Sequence, residues 1–218
     1  MALTHKYRLA NSLTDDLGGS SLVSLGGTLS VNGYAFAANA GLTLSSAVPT
    51  SVYSIAVDFY FTSVAEAAST SGWQKIIDCK NRTTDSGLYW AAVDAEFGVH
   101  LSSGLLIWDA GLLANAGVGT TDLQTQESSR VLVTRDGANL VSVYLEGALE
   151  FSFTDATSLM TFSEASQIAH FFVDDTAQAT DTPAGTVTGI RIYDAALTST
   201  EAAAEGVGGK NIMTLGIG

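Results

Sequence analysis

The acidic side chains are the first candidates for chemistry in this sequence. Retaining glycoside hydrolysis needs two carboxyl groups about 5–5.5 Å apart, and neighbouring same-face positions of a β-strand can supply them. Asp94 and Glu96 have this spacing, but they stand at a predicted strand end without a third acidic partner. An isolated pair is a weak motif. We therefore interpret these residues as part of a solvated turn.

The histidines and serines give no better catalytic pattern. His5 lies in the N-terminal segment and His100 flanks a predicted strand. His170 lies in an apolar strand, where a structural histidine is commoner than a catalytic one. The sequence has no Gly-x-Ser-x-Gly motif, which would mark a nucleophile elbow. The sequence therefore indicates a protein that is not an enzyme.

Four aromatic side chains could stack on the apolar face of a sugar ring, while nearby polar groups bind its hydroxyls. They are Trp73, Tyr89, Trp90 and Trp108. Tyr89 and Trp90 are consecutive and must point to opposite faces of a strand, so we predict that only one of the two lies in the core. We name Trp90 and Trp108 as candidate carbohydrate-binding residues, with core packing as the alternative role.

The charge balance of the 218-residue sequence restricts its partners. The sequence contains 22 Asp and Glu against 9 Lys and Arg, so its formal net charge is -13 and its pI is near 4.3. Such a surface repels nucleic acids and anionic membranes, and we expect neither as a partner. Divalent cations and neutral or basic partners are compatible with it, and so is a simple role in solubility.

Cysteine content and the N-terminal segment bear on where the protein acts. Cys79 is the only cysteine, so no disulfide can form within the chain. The first 30 residues hold no apolar core of a signal peptide, and no stretch has the length of a membrane span. Either a signal peptide has been removed, or the protein starts inside a cell as a virion component can. We expect an extracellular location, or a place on a cell or virion surface.

Short segments that alternate with period two predict β-strands through most of the chain. Residues 53–61 alternate large apolar with small or polar side chains, which predicts a strand with one buried face. Residues 130–153 predict a three-stranded antiparallel meander, with turns at Asp136-Gly137 and Glu146-Gly147. Small and polar residues between 110 and 129 predict an irregular loop.

The end of the chain predicts a closing strand followed by a helix. Residues 186–194 have β-branched and aromatic side chains around Gly189, which predicts a strand with a bulge at the glycine. Thr198 and Glu201 have the spacing of a capping box, which marks the start of a helix. Alanines follow, and Gly206 is predicted to end the helix.

These elements together predict an all-β fold, because many short strands with hardly any helix are typical of an antiparallel β-sandwich. The only helix expected is the short one near the C-terminus. No break in composition divides the sequence, so we expect one domain over residues 1–218. Residues 207–218 are predicted to form a flexible or docking tail.

Four motifs carry a resemblance to a known family. They are Lys75-Ile-Ile-Asp78, Gly87-Leu-Tyr89, Phe171-Phe-Val-Asp-Asp175 and Ile190-Arg-Ile-Tyr-Asp194. In this respect the chain resembles LamG-like jelly rolls of the concanavalin A-like lectin/glucanase superfamily. The resemblance implies a jelly roll. Glucanases of that superfamily carry Glu-x-Asp-x-Glu or a close variant, whereas no Glu here is followed two positions later by Asp.

The same resemblance implies a calcium site, because related domains often bind Ca²⁺ in loops at one end of the sandwich. The implied ligands are Asp78, Asn81 and Asp85 in one loop and Asp174 and Asp175 in another. Hard cations prefer such oxygen ligands, and adjacent aspartates repel one another unless they are solvated or joined by a cation. We predict at least one Ca²⁺, with turn capping by these side chains as the alternative.

The sequence thus predicts a non-catalytic recognition or adhesion module that binds carbohydrate and is stabilised by Ca²⁺. The main alternative is a structural virion protein, such as a phage capsid decoration or tail component, whose sandwich binds other protein chains. The absence of a leader, the absence of disulfides and the apolar C-terminal residues favour this alternative. A polysaccharide hydrolase or lyase with unfamiliar catalytic residues is the third hypothesis.

Overall fold

The computed structural model describes residues 1–46, 48–63, 72–91, 104–111, 114–124, 126–163, 165–176, 181 and 184–207. These residues form fifteen β-strands and one α-helix. In chain order they are β1 (Leu3–Tyr7), β2 (Val23–Ser24), β3 (Thr28–Ser30), β4 (Gly33–Phe36), β5 (Leu42–Leu44), β6 (Tyr53–Phe61), β7 (Trp73–Asp78), β8 (Gly87–Ala91), β9 (Gly104–Asp109), β10 (Ala114–Val118), β11 (Ser129–Arg135), β12 (Leu140–Leu145), β13 (Ala148–Thr154), β14 (Ala169–Phe171), β15 (Gly185–Tyr193) and α1 (Ser199–Val207).

The strands form two antiparallel sheets that pack as a sandwich. Within the described residues the larger sheet has eight strands, ordered β13-β12-β11-β6-β15-β4-β3, with β1 paired to β15. The smaller sheet has seven, ordered β10-β9-β8-β7-β14-β5-β2. The predicted all-β antiparallel sandwich with a short C-terminal helix is confirmed.

The central strand β6 differs from its prediction, because both of its faces are buried. Its large residues Ile55, Val57 and Phe59 point into the main core between the sheets. On the opposite face Ala56 is also inaccessible to solvent, because it packs in a second apolar cluster with Leu197 and Ala202. The expectation of one buried face was wrong because period two reports the direction of side chains, not what covers them.

The meander of residues 130–153 is confirmed as β11, β12 and β13, paired in register from Val131 opposite Leu145 to Arg135 opposite Val141. The bulge at Gly189 is confirmed by a register shift against β6 between Val187 and Gly189. The irregular loop predicted for residues 110–129 was wrong in part, because it contains β10, which pairs with β9 at the edge of the smaller sheet.

The helix α1 begins at its predicted capping box. The backbone N–H of Thr198 donates to Glu201 Oε2 at 2.8 Å, and the Thr198 hydroxyl accepts from the backbone N–H of Glu201 at 3.3 Å. The helix does not end at Gly206 but continues to Val207. Gly206 instead permits close packing, since a Cβ there would overlap the backbone of Gly147.

Several sequence predictions fall outside the described residues. They concern Asp94, Glu96 and His100, and the proposed tail beyond Val207. Among the helical residues that are described, α1 falls short of the length needed to cross a bilayer.

Candidate functional site

The strand order of the smaller sheet brings the predicted calcium loops together. Asp78 ends β7, and Asp85 lies in the loop between β7 and β8. Asp174 and Asp175 follow β14, which pairs antiparallel with β7 so that His170 lies opposite Asp78. Two loops that are about ninety residues apart in sequence therefore meet at one end of this sheet.

Lys75 lies at the centre of this end and was missed by the sequence analysis as a site residue. Its side chain is fully buried on β7, and its Nζ lies 3.2 Å from Asp174 Oδ1, 3.6 Å from Asp78 Oδ2 and 3.7 Å from Asp85 Oδ1. A lysine inside an otherwise buried strand is rare unless it is paired, and this was the signal available in the sequence.

Three of the five predicted ligands form a compact acidic cluster. Asp85, Asp174 and Asp175 each offer a carboxylate oxygen, and these oxygens lie within 4.8 Å of one another. Oxygens that share a Ca²⁺ ion, each at about 2.4 Å from it, can be separated by up to about 4.8 Å. The spacing is therefore compatible with one cation between the three carboxylates.

Asp78 and Asn81 have other partners. Asp78 Oδ1 accepts hydrogen bonds from the backbone N–H groups of Lys80 at 3.0 Å and Arg82 at 2.9 Å, so it caps the turn that follows β7. Asn81 Oδ1 lies 3.0 Å from His170 Nε2. The observed contacts of these two residues therefore agree with the alternative role, in which the side chains stabilise the turn and the fold.

Burial shifts the pKa values of three groups at this end of the sheet. It raises the pKa of Asp78 against the opposing effect of Lys75. Burial also raises the pKa of Asp85, and the charges of Asp174 and Asp175 add to this rise. Burial, together with the nearby positive charges, lowers the pKa of His170 to about 4.

Among the described residues, the acidic end holds more carboxylates than cations, which are Lys75 and Arg82, whose Nε donates to the carbonyl oxygen of Asp174. Lys75 is the cation of the ion pairs of Asp78, Asp85 and Asp174, and Asp175 adds a fourth carboxylate beside them. Burying carboxylates without equal positive charge is costly, so proteins protonate them or bind a cation. The chemistry that this arrangement favours is the binding of a cation.

An aromatic cluster lies beside the acidic end, on the outer face of the smaller sheet. The ring of Trp73 lies 5.5 Å from that of Tyr89 and 5.4 Å from that of Trp108, both in edge-to-face geometry. Tyr89 joins the two clusters, because its hydroxyl donates to Asp85 Oδ1 at 2.7 Å and its ring centroid lies 5.0 Å from Lys75 Nζ. Aromatic rings and carboxylates therefore lie next to each other on one face of the smaller sheet.

The two candidate sugar-binding tryptophans have different positions. Trp108 belongs to the outer aromatic cluster and is 4% exposed. Trp90 lies on the inner face of the same sheet in the main core and is 1% exposed. Neither ring is open to a sugar at these exposures; Trp90 lies between the two sheets, whereas Trp108 lies on the outer face. Tyr89 and Trp90 do point to opposite faces, but both are buried, because the outer face is covered as well.

Comparisons with protein-family models and with curated protein sequences give no match. Solved structures do match. Domain 4 of AbnA, a GH43 extracellular arabinanase from Geobacillus stearothermophilus solved with arabinotriose, has a TM-score of 0.64 and 18% identity. That match covers 93% of this chain and 97% of the domain.

Two further matches come from larger proteins. A Trypanosoma rangeli sialidase solved with 2,3-difluorosialic acid has a TM-score of 0.64 and 14% identity, over 97% of this chain and 34% of the sialidase. The botulinum neurotoxin serotype D binding domain has a TM-score of 0.56 and 12% identity, over 94% of this chain and 51% of that chain. The present chain thus spans about a third of the sialidase chain and about half of the neurotoxin binding domain. The TM-scores show a common sandwich fold, and at these identities they show the fold alone.

Proposed function

We propose that this chain is a non-catalytic carbohydrate-recognition module of the LamG-like, concanavalin A-like type. The observation that carries the proposal is the meeting of an aromatic cluster and an acidic cluster on the outer face of the smaller sheet, joined by Tyr89. Sugar recognition needs aromatic rings next to fixed polar groups, and this face holds both. The rings are buried in this structure, so the proposed binding requires that the outer face be uncovered.

The structural comparisons support a carbohydrate as the ligand. The arabinanase domain, which this chain matches along nearly the whole of both lengths, was solved in complex with arabinotriose. The Trypanosoma rangeli sialidase was solved with a sialic acid derivative. Arabino-oligosaccharides and sialylated sugars are therefore the first ligands to test.

We further propose that one Ca²⁺ binds between Asp85, Asp174 and Asp175. The spacing of their oxygens and the excess of carboxylates over ammonium groups support this assignment. Asp78 is left out because its Oδ1 holds the turn after β7 and its Oδ2 faces Lys75. Asn81 is left out because its Oδ1 contacts His170. The ion would fix the loops that border the aromatic cluster.

The proposal is tested by the thermal unfolding midpoint in EDTA, in Ca²⁺, and in Ca²⁺ with a panel of sugars. A ligand that binds only the folded state adds RT ln(1 + [L]/Kd), which is about 2.7 kcal/mol at a hundredfold excess over Kd. We expect one increase with Ca²⁺ and a second with one sugar class. A midpoint unchanged by every sugar would contradict carbohydrate recognition.

Trp108→Ala is the variant that locates the sugar. We expect it to abolish the sugar-dependent increase while the Ca²⁺-dependent increase remains. Tyr144→Ala is the matched control, because Tyr144 is a similarly buried aromatic residue on the outer face of the larger sheet. A sugar response that survives in Trp108→Ala, or disappears in Tyr144→Ala, would place the binding surface elsewhere.

Assembly with other protein chains, as in a virion, remains the second candidate, and one observation favours it. Leu17, Val23, Leu25 and Val31 are exposed, three of them by more than half, where β2 and β3 form the edges of the two sheets. Exposed apolar edges are typical of association surfaces. We expect Val23→Thr with Val31→Thr to dissociate any oligomer seen by light scattering. A monomeric wild-type chain would contradict this candidate.

A further inference from the structure

We infer that Lys75 occupies the position of a second metal ion at the acidic end of the smaller sheet. Its ammonium group supplies from within the chain the positive charge that a divalent cation would supply between Asp78, Asp85 and Asp174. This inference rests on the proposed calcium site to the extent that both use Asp85 and Asp174 as ligands.

The contact distances show how Lys75 acts. Here Nζ lies 3.2 to 3.7 Å from oxygens of three carboxylates that come from two separate loops. Lysine suits this role because its ammonium is a compact point charge, whereas an arginine guanidinium is a larger planar group with its donors in a fixed fork. Lys75 therefore occupies a shared central position, as a metal ion would.

The strands around Lys75 are shaped to hold its side chain there. Its ammonium lies 5.0 Å from the centroid of the Tyr89 ring. Gly87, on the neighbouring strand β8, permits the close approach of β7 beside the lysine, since a Cβ at that position would lie 2.6 Å from the carbonyl oxygen of Ile77. The side chain is thus held within the sheet, and its position does not depend on solvent.

Removal of the ammonium would leave a vacant cation position. Asp78 Oδ2 has no other hydrogen-bond partner in the described residues, and it would face Asp85 and Asp174 across the space that Nζ now fills. Carboxylate oxygens around a common point are the preferred ligands of Ca²⁺. The Lys75→Met variant, which keeps the length of the stem but not the charge, should therefore bind one more Ca²⁺ than the wild-type chain.

The test is the stoichiometry of Ca²⁺ binding by isothermal titration calorimetry, on chains first treated with EDTA. We expect one additional ion in Lys75→Met, with a dissociation constant of about 1 mM or lower. Lys75→Arg keeps the charge and should gain none. Lys80→Met is the matched control, because Lys80 lies at the same end but its Nζ donates to the carbonyl oxygens of Ser158 and Thr161.

The two calcium assignments fail in different ways in this experiment. If the wild-type chain binds no Ca²⁺ and Lys75→Met binds one, the proposed calcium site is wrong and the role of Lys75 is supported. If the wild-type chain and Lys75→Met bind equal numbers of ions, the role of Lys75 is overturned. If Lys75→Met does not fold in EDTA, recovery of the folded state in Ca²⁺ supports the inference, and failure in both buffers overturns it.

Discussion

The outer faces of the two sheets both carry buried charges, but they differ in balance. On the larger sheet, Asp58 of β6 pairs with Arg130 of β11 and Arg191 of β15, and both guanidinium groups also contact Glu205 of α1. Two guanidinium groups thus face two carboxylates. On the smaller sheet, the single ammonium of Lys75 lies among several aspartates.

This difference is why we propose a structural network on the larger sheet and a ligand site on the smaller one. On the larger sheet, Arg191 binds both oxygens of Asp58 at 2.9 and 3.2 Å, and Tyr193 donates to Glu205 Oε2 at 2.8 Å. The network attaches α1 to the sheet, and its two guanidinium groups match in number the two carboxylates with which they form ion pairs. The acidic end of the smaller sheet has an excess of carboxylates and borders an aromatic surface, and this imbalance is what favours a bound cation.

Asp58→Ala breaks the balanced network and should have the largest effect on stability. It leaves two partly buried guanidinium groups without their shared carboxylate, so we expect a loss of about 3–5 kcal/mol in the free energy of unfolding by urea. Asp16→Ala is the control, because Asp16 pairs with the exposed Arg8, and it should cost about 1 kcal/mol or less. Equal losses in the two variants would contradict a structural role for the network.

Gly206→Ala tests the contact that holds α1 beside this network. A Cβ would overlap the backbone of Gly147, so the helix must shift, and we expect a loss of about 1–3 kcal/mol. Gly137→Ala is the control, because a Cβ there would meet no atom within 4 Å. Thermal unfolding of both variants distinguishes the outcomes, and an unchanged midpoint in Gly206→Ala would show that the helix is not held at this contact.

The smallest predicted effect is the pH dependence of the stability that the same network contributes. Burial acts to raise the pKa of Asp58, but hydrogen bonds from Arg130 and Arg191 and their charges outweigh it, and the pKa is lowered. The stabilisation is then fully present above the unfolded-state value of about 3.9 and is lost as the pH falls through the lower folded-state value. We expect the stability difference between wild type and Asp58→Asn to decrease from pH 5 to pH 3. A difference that stays constant would show that Asp58 does not titrate in this way.

Local features of the fold could be predicted from the sequence. The capping box at Thr198, the bulge at Gly189 and the meander from β11 to β13 depend on neighbouring residues, and the structure confirms them. The covering of β6 on both faces could not be predicted, because it depends on α1, more than 130 residues further along the chain. Periodicity carries no information on such distant contacts.

The candidate site was predictable only as separate pieces. The aspartates were identified by resemblance, but the pairing of β14 with β7 that brings them together is not encoded in either loop alone. Lys75 belongs to one of the sequence motifs, but its position among three carboxylates follows from the packing of both loops. Alternation correctly placed Tyr89 and Trp90 on opposite faces, but it could not indicate that both faces are buried.

The most direct test of the central claim, that the ligand site is on the outer face of the smaller sheet, is a backbone amide NMR titration with Ca²⁺ and then with the sugar that stabilises the fold. We predict chemical-shift changes around Lys75, Asp85 and Asp174 with Ca²⁺ and around Trp108 with the sugar, while the amides of Asp58 and Arg191 stay unchanged. Shift changes centred on Asp58, Arg191 and α1, or no changes with either ligand, would contradict the account.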